Sequence, residues 1–185
     1  SPELSGEAFL YKIMGNSSYN LFANQQTSKL LQGVTPPIII ADNLRTPENI
    51  GMILRLSANI DACLTLFIID DEINFRESKI KRTSSGASEK VDWKIITSDV
   101  LMKYIPDDYS IVALETCDDS ENIFDFSFPD KTAIMVGNEV VGIKPENLLH
   151  SDSRIFIPVP GRISSLNVTH ALSIAVFQWF RQFSM

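Results

Sequence analysis

Three short stretches of this sequence combine polar side chains with glycines or turn residues at a spacing suited to chemistry. The first, NIGMILR, places Asn49 and Arg55 in the first two turns of a predicted helix. The second, VGNEVVGI, puts Glu139 between two glycines, where a carboxylate could accept hydrogen bonds from a sugar or orient an arginine. Each also has a simpler explanation, namely a capped helix with a surface arginine and a tight turn with an exposed glutamate.

The third stretch is the polar turn within IFIPVPGRISSLNV, which lies between two apolar segments. It contains Arg162, Ser165 and Asn167. One of these polar side chains could cap the helix that follows, but a single cap does not need so many of them. The turn therefore predicts a binding or catalytic site, although it does not by itself identify a reaction.

Several common site types do not match these patterns. VGNEVVGI is not G-x-G-x-x-G and no Lys-Ser/Thr follows it, so neither a dinucleotide fingerprint nor a P-loop is predicted. The two histidines and two cysteines show no Cys-x-x-Cys spacing, so no metal site is expected. A disulfide scaffold is excluded by the cysteine count, which favours a cytoplasmic location.

The elements that must position these stretches alternate between strands and helices. Short, β-branched apolar runs predict strands at PIIIA, CLTLFIID, WKIIT, SIVALET, KTAIMVG and RIFIPV. Thr46 and Pro47 mark a helix start, and further helices are predicted in NFRESKIKR, SDVLMKYI, KPENLLH and the C-terminal stretch. This order predicts an α/β fold, a parallel sheet with helices on both faces. Ligands bind such sheets beyond the carboxyl ends of the strands, and each polar stretch follows a predicted strand.

Composition narrows the classes of function. The chain has 185 residues, of which 44% are hydrophobic, and a formal net charge of −7. No apolar run reaches about 18 residues, so no membrane span is predicted. The negative charge argues against a strong autonomous nucleic-acid binder. We divide the chain into an N-terminal helical extension at residues 1–36 and an α/β domain at residues 37–185.

Together, the three stretches resemble the motifs of a known enzyme family. N-x-G-x-x-x-R, G-x-E-x-x-G-I and I-P-x-x-G-x-x-x-S-L-N-V occur in this order, and the segment SSGAS at residues 84–88 looks like a further family turn. The pattern is similar to the SpoU-type (TrmH-like) RNA 2′-O-ribose methyltransferases of the SPOUT superfamily. The resemblance covers about residues 37–180 and implies a deep C-terminal trefoil knot that binds S-adenosylmethionine. It also implies a homodimer that acts on tRNA or rRNA.

The resemblance further implies roles for individual residues. The catalytic positions of the family correspond to Asn49, Arg55, Glu139, Ser165 and Asn167. The cofactor positions correspond to Gly137, Ile157 and Leu166, with a further wall from Leu114, Glu115 and Thr116. Contacts to RNA phosphates are expected from Arg45, Arg76, Lys79, Lys81, Arg82 and Arg162. A guanidinium is a reluctant base, so Arg55 is assigned to stabilising the developing alkoxide and clamping phosphate, although the sequence does not separate this role from that of a base.

Two other functions are compatible with parts of the pattern. A non-catalytic relative that binds cofactor or RNA without turnover would fit the acidic composition. A nicotinamide oxidoreductase is disfavoured because no glycine fingerprint follows the first strand. The C-terminal helix carries more apolar residues than one face holds, which fits either a dimer interface or full burial within one subunit.

Overall fold

The computed structural model describes residues 30–71, 75–138, 140–163 and 165–184. Most of the predicted N-terminal extension at residues 1–36 lies outside these ranges and stays a prediction. Residues 30–34 form a turn with a hydrogen bond from Val34 N to Leu31 O (3.0 Å). Within the described ranges, no helix has the combination of length and apolar character that crossing a membrane requires.

The described part of the α/β unit contains one sheet of seven strands, which is parallel as the continuous apolar runs of six of them predict. The strands are β1 (Ile38–Asp42), β2 (Leu64–Ile68), β3 (Trp93–Ile96), β4 (Ser110–Leu114), β5 (Glu121–Asn122), β6 (Thr132–Val136) and β7 (Ser153–Phe156). Their order across the sheet is β3-β2-β1-β6-β4-β7-β5. Every residue of the adjacent strands β1 and β6 is buried, so both faces of the sheet are covered at its centre.

The helices follow the predicted pattern with one difference in type. They are α1 (Pro47–Asn59), α2 (Glu77–Ser84), α3 (Pro145–Leu148) and α4 (Val168–Ser184). Thr46 caps α1 as predicted, because its Oγ1 accepts a hydrogen bond from Asn49 N (3.4 Å). The segment SDVLMKYI forms a 3₁₀ helix over Ser98–Lys103 instead of an α-helix. Its buried Leu101 packs into the core on one face of the sheet, together with Ile96 and Ile105.

The C-terminal helix α4 is only partly buried within its own subunit. Leu172, Ala175, Val176 and Trp179 are buried, whereas Phe177 is 51% exposed and its ring contacts Phe180 edge-on at a centroid distance of 6.3 Å. The alternative of full burial within one subunit is therefore wrong. An apolar strip remains on the outer side of this helix.

A glycine in the first polar stretch allows two helices to approach each other. A Cβ at Gly51 on α1 would lie 2.0 Å from Thr83 Oγ1 and 2.9 Å from Ile80 O, both on α2. The absence of a side chain at Gly51 is therefore explained by helix packing, without a ligand. Helix α2 is followed by Ser85 and Gly86, both with positive φ, so the segment SSGAS lies at the C-terminal end of this helix.

Carboxylates from two neighbouring strands hold the end of the loop between β6 and α3. We call the described residues of this loop, 137–138 and 140–144, the β6–α3 loop. Asp42, at the end of β1, accepts a hydrogen bond from Lys144 N through Oδ2 (2.7 Å). Lys144 Nζ donates to Asp70 Oδ2 (2.5 Å), just beyond β2. Asp70 also accepts hydrogen bonds from Ser98 N (2.7 Å) and Ser98 Oγ (2.6 Å). The loop is thereby tied to the carboxyl ends of β1, β2 and β3.

The two aspartates titrate differently because their surroundings differ. Burial raises the pKa of Asp42, although the neighbouring Asn147 side chain and the Lys144 amide favour its ionised form. Burial also opposes ionisation of Asp70, but the hydrogen bonds from Lys144 and Ser98 outweigh it and lower its pKa to about 2. Asp70 is therefore the carboxylate of this pair whose ionisation stabilises the folded state.

We expect Asp70→Asn to lower the free energy of unfolding at pH 7 by about 1–2 kcal/mol. The folded pKa of Asp70 lies below its ordinary value of 3.8, so its stabilisation is complete above that value and is lost as the pH falls towards 2. The variant should therefore be less stable than wild type at pH 7 and match it near pH 2. Urea unfolding followed by circular dichroism between pH 2 and pH 7 measures both effects.

The control for this comparison is Asp108→Asn. Asp108 is an exposed carboxylate that also pairs with a lysine, Lys131. Solvent screens such a pair, so its loss should leave the unfolding midpoint nearly unchanged. Equal effects of the two substitutions at pH 7 would contradict a specific role for Asp70.

Candidate active site

A cavity of about 360 Å³ lies beyond the carboxyl ends of three adjacent strands, β6, β4 and β7. Its walls come from the segments that follow these strands, and from Val168 and Ala171 on α4. This is the edge at which parallel sheets bind ligands. The structure thus gathers the ends of several elements around one concave site.

The cavity is lined by all six residues that the family resemblance assigns to the cofactor. These are Leu114, Glu115, Thr116, Gly137, Ile157 and Leu166. Ser165, one of the predicted catalytic residues, also lines it. Further apolar lining comes from Val136, Phe156 and Val159. The geometry brings these residues together, and their binding of a cofactor stays a prediction.

The β6–α3 loop forms one wall of the cavity and is unusually tight. A Cβ at Gly137 would lie 2.1 Å from the Gly142 carbonyl carbon and 2.2 Å from Ile143 N. Asn138 N donates to Gly142 O (3.1 Å) and Gly142 N donates to Asn138 O (2.8 Å), which closes a small hairpin. Glycine is therefore required at residue 137 because the returning backbone occupies the space of a side chain.

The Asn138 side chain connects this loop to the loop that precedes α1. Its Nδ2 donates to Asn43 O (3.0 Å), and its Oδ1 accepts a hydrogen bond from Val140 N (2.8 Å). Asn138 is buried, so both polar ends of the amide are used inside the protein. The second polar stretch is thus joined, through Asn138, to the loop that precedes the first polar stretch.

The third polar stretch has two separate tasks. Ser165 lies at the cavity, whereas Asn167 caps α4: its Oδ1 accepts hydrogen bonds from Thr169 N (3.0 Å) and Thr169 Oγ1 (2.6 Å). Asn167 is not among the residues that line the cavity. The side-chain oxygen of Asn167 therefore fixes the start of α4. This cap also positions Ser165, which lies two residues earlier in the chain.

Of the remaining catalytic candidates, Asn49 and Arg55 do not line the cavity of their own chain. Asn49 is buried in the first turn of α1, and Arg55 lies on the exposed side of the same helix. Glu139 lies outside the described residues. Within the described chain, the structure thus brings Ser165 to the cavity and leaves Asn49, Arg55 and Asn167 away from its wall.

The predicted RNA-binding residues lie at or near the surface, and two of them are already paired. Arg45, Arg76, Arg82 and Arg162 are exposed. Lys79 Nζ lies 3.2 Å from Glu48 Oε1, and Lys81 Nζ lies 3.9 Å from Glu89 Oε1. These carboxylates compete with phosphate for the two lysines, so the arginines are the stronger candidates.

Sequence reasoning missed several residues of the cavity wall. Asn138 and Gly142 lie inside the second polar stretch, so their proximity to Glu139 was the available signal. Val140 and Val141 also line the cavity and are 89% and 62% exposed. Apolar residues in a loop carry no sequence signal that would separate them from core residues. Across the described ranges, no group of three or more His, Cys, Asp or Glu side chains is arranged to hold a metal ion.

Comparisons with known proteins agree with this architecture. The chain is 29% identical over 150 residues to the tRNA (guanosine(18)-2′-O)-methyltransferase of Aquifex aeolicus (strain VF5), which covers 78% of this chain and 69% of that protein. It is 27% identical over 160 residues to the 23S rRNA (guanosine-2′-O-)-methyltransferase RlmB of Photorhabdus laumondii, covering 86% of this chain and 65% of that protein.

A solved structure shows the same fold. The SpoU methyltransferase AviRb from Streptomyces viridochromogenes, in complex with the cofactor AdoMet, superimposes with a TM-score of 0.71 at 21% identity. The match covers 80% of this chain and 58% of that chain. The part of each of these three proteins that matches this chain is 58% to 69% of that protein's length.

The match to a family model extends over the α/β unit that carries the cavity. It runs from residue 36 to residue 177, and so contains all three polar stretches and every strand of the sheet. The family predicted from those stretches is therefore confirmed. The chain belongs to the SpoU rRNA Methylase family.

Proposed function

We propose that this protein transfers a methyl group from S-adenosylmethionine to a ribose 2′-hydroxyl of RNA. The observation that carries the proposal is the cavity at the ends of β6, β4 and β7, which is lined by Ser165 and by the residues expected at the cofactor. Family membership supports the reaction, and the names of the relatives support tRNA or rRNA as the substrate class.

The lining of the cavity fits this cofactor. Leu114, Ile157 and Leu166 offer an apolar surface for a planar base, while Thr116 and Ser165 add polar side chains to the lining. When bound, S-adenosylmethionine supplies an electrophilic methyl group on its sulfonium.

The residues of the chain have to activate the acceptor. A ribose hydroxyl is a weak acid, so it must be aligned with the methyl group while its proton is accepted or its developing charge is stabilised. Ser165 at the cavity would orient the nucleotide through its hydroxyl. Arg55 would stabilise the developing alkoxide and hold an adjacent phosphate, because its guanidinium is a permanent cation with a planar set of donors.

A homodimer explains how Arg55 could act although it does not line the cavity of its own chain. The exposed side of α1 carries Met52, which is 43% exposed, beside Arg55. Helix α4 presents Phe177 on its outer side. We propose that these apolar surfaces pack against a second copy, which places Arg55 of one subunit at the cavity of the other.

Three further proposals concern the path of the chain, its domain boundary and its location in the cell. We propose that the segment from β7 to α4 forms a trefoil knot, which is supported by the similarity of fold to a SpoU methyltransferase. The start of the family match at residue 36 supports a boundary between the N-terminal extension and the methyltransferase domain. The free thiols of Cys63 and Cys117 are consistent with a cytoplasmic location.

Purified protein should transfer labelled methyl groups from S-adenosylmethionine to RNA that is isolated from cells without this protein. Nuclease digestion should recover the label as a 2′-O-methylnucleoside. Arg55→Ala should lower kcat by about 100-fold or more, because a charge that stabilises the transition state is lost. Cofactor affinity, measured by calorimetry, should stay within about threefold, since the residues expected to contact the cofactor line the cavity of their own chain and do not include Arg55.

Two comparisons make this test specific. Lys103→Ala removes another exposed cation, in the 3₁₀ segment after β3, and should leave transfer unchanged. Cofactor binding by the wild-type protein without transfer to any RNA would contradict the proposed reaction. That result would favour the alternative of a non-catalytic relative.

Mixed dimers should show whether Arg55 acts across the subunit interface. In a heterodimer of Arg55→Ala and Ser165→Ala subunits, one cavity would combine an intact Ser165 with the intact Arg55 of the other subunit. Each homodimeric variant should be nearly inactive, whereas the purified heterodimer should recover about half of the wild-type activity, because one of its two sites is complete.

The reciprocal mixture is the control. A heterodimer of wild type with the double variant Arg55→Ala/Ser165→Ala should be nearly inactive if Arg55 acts on the other subunit. Half activity in this mixture, together with none in the first, would show that Arg55 acts within its own chain. A monomeric wild-type protein in sedimentation experiments would contradict the dimer directly.

A further inference from the structure

Glu115 leaves the sheet at a fixed position beside the cavity. It is the first residue after β4, and its backbone N donates to Ile155 O on β7 (3.0 Å). Its carbonyl oxygen accepts a hydrogen bond from Ser120 Oγ (2.7 Å). The main chain of Glu115 is thus held on both sides, so the side chain starts from a defined point at the edge of the cavity.

The carboxylate of Glu115 is already engaged by main-chain amides. Its Oε2 accepts a hydrogen bond from Ile143 N (2.8 Å), and its Oε1 accepts one from Thr116 N (3.2 Å). A Cβ at Gly142 would lie 2.4 Å from Oε2. The carboxylate therefore occupies the space that glycine leaves open and reaches the far end of the β6–α3 loop.

The bond to Ile143 acts at the point where the loop returns to the core. Ile143 is buried, while the preceding residues Gly137, Asn138 and Gly142 line the cavity. An ionised acceptor makes a stronger bond to an amide than a neutral one. Without this bond, the backbone at Ile143 could move away from Glu115. The shape of the cavity wall would then change, although the other lining residues would be the same.

We infer that Glu115 is a positioning residue, which holds the cavity wall at residues 137, 138 and 140–142 through the Ile143 amide in the shape that receives the cofactor. The resemblance to the family placed Glu115 among the cofactor contacts, whereas its hydrogen bonds assign its carboxylate to the loop. The inference rests on the proposed function of the cavity and gives this residue a different task within it.

Two conservative substitutions test the length and the charge of the Glu115 side chain separately. Glu115→Asp keeps the charge but is one methylene shorter, so it cannot reach Ile143 N without moving the backbone. Glu115→Gln loses the charge but keeps one oxygen that can accept from Ile143 N, while its NH2 group replaces the oxygen that accepts from Thr116 N. We expect Glu115→Asp to weaken binding of S-adenosylmethionine by about tenfold or more, and Glu115→Gln to stay within about threefold.

The KM for the cofactor should rise more in Glu115→Asp than in Glu115→Gln. The kcat at saturating cofactor should change little in either variant, because the reacting groups are unchanged. Glu121→Asp and Glu121→Gln, at an exposed glutamate on β5, are the matched controls and should have no effect on either parameter. Thermal unfolding of each variant reports whether a loss of binding reflects global destabilisation.

Hydrogen exchange measured by mass spectrometry tests the loop without any cofactor. Peptides that contain Ile143 should lose about tenfold in protection in Glu115→Asp and little in Glu115→Gln. If wild type binds no cofactor, the proposed function fails, and the exchange comparison still shows whether Glu115 holds the loop.

Two results would overturn the inference. If Glu115→Gln loses as much affinity as Glu115→Asp while the loop keeps its protection, the carboxylate contacts the cofactor directly. If neither substitution changes affinity or exchange, Glu115 has no role in shaping the cavity. Should Glu115→Asp fail to fold, Glu115→Gln alone decides between loop contact, which predicts retained affinity, and direct ionic contact, which predicts its loss.

Discussion

Main-chain amides of the β6–α3 loop donate to carboxylates that stand at the ends of buried strands, and the shape of the cavity depends on these bonds. Asp42 at the end of β1 holds the amide of Lys144, and Glu115 at the end of β4 holds the amide of Ile143. β6, from which the loop starts, lies between these two strands. Because β1 and most of β4 are buried, the two carboxylates cannot shift without disturbing the core.

This arrangement explains why a loop rich in glycine can form a defined wall. Gly137 and Gly142 allow the backbone to fold back on itself, and such freedom would ordinarily leave a loop with many conformations. The anchors at Ile143 and Lys144, together with the Asn138 side chain, remove most of that freedom. A preformed wall lowers the entropy that must be lost when a ligand binds.

Much of the fold could be predicted from the sequence, because the buried strands are continuous apolar runs and α1 begins with a clear cap at Thr46. The two-residue strand β5 was missed, since Glu121 and Asn122 pair with β7 through their main chain and carry no apolar pattern. The bond between Asp42 and Lys144 joins residues 102 positions apart, and no local pattern indicates such a pair. Residues that line the cavity were predicted through the resemblance of the short motifs to a known family, whereas the role of Asn167 as a helix cap became clear only from its hydrogen bonds.

The two borders of the sheet bear on how the protein behaves at high concentration. One edge strand, β5, is only two residues long and begins with Glu121. The other edge strand, β3, carries the exposed Lys94 at its second position. Short or charged border strands resist the addition of a strand from a neighbouring molecule, which is the usual first step of fibrillar aggregation. Self-association of this protein should therefore proceed through helical surfaces, and its sheet should not serve as a template for polymer growth.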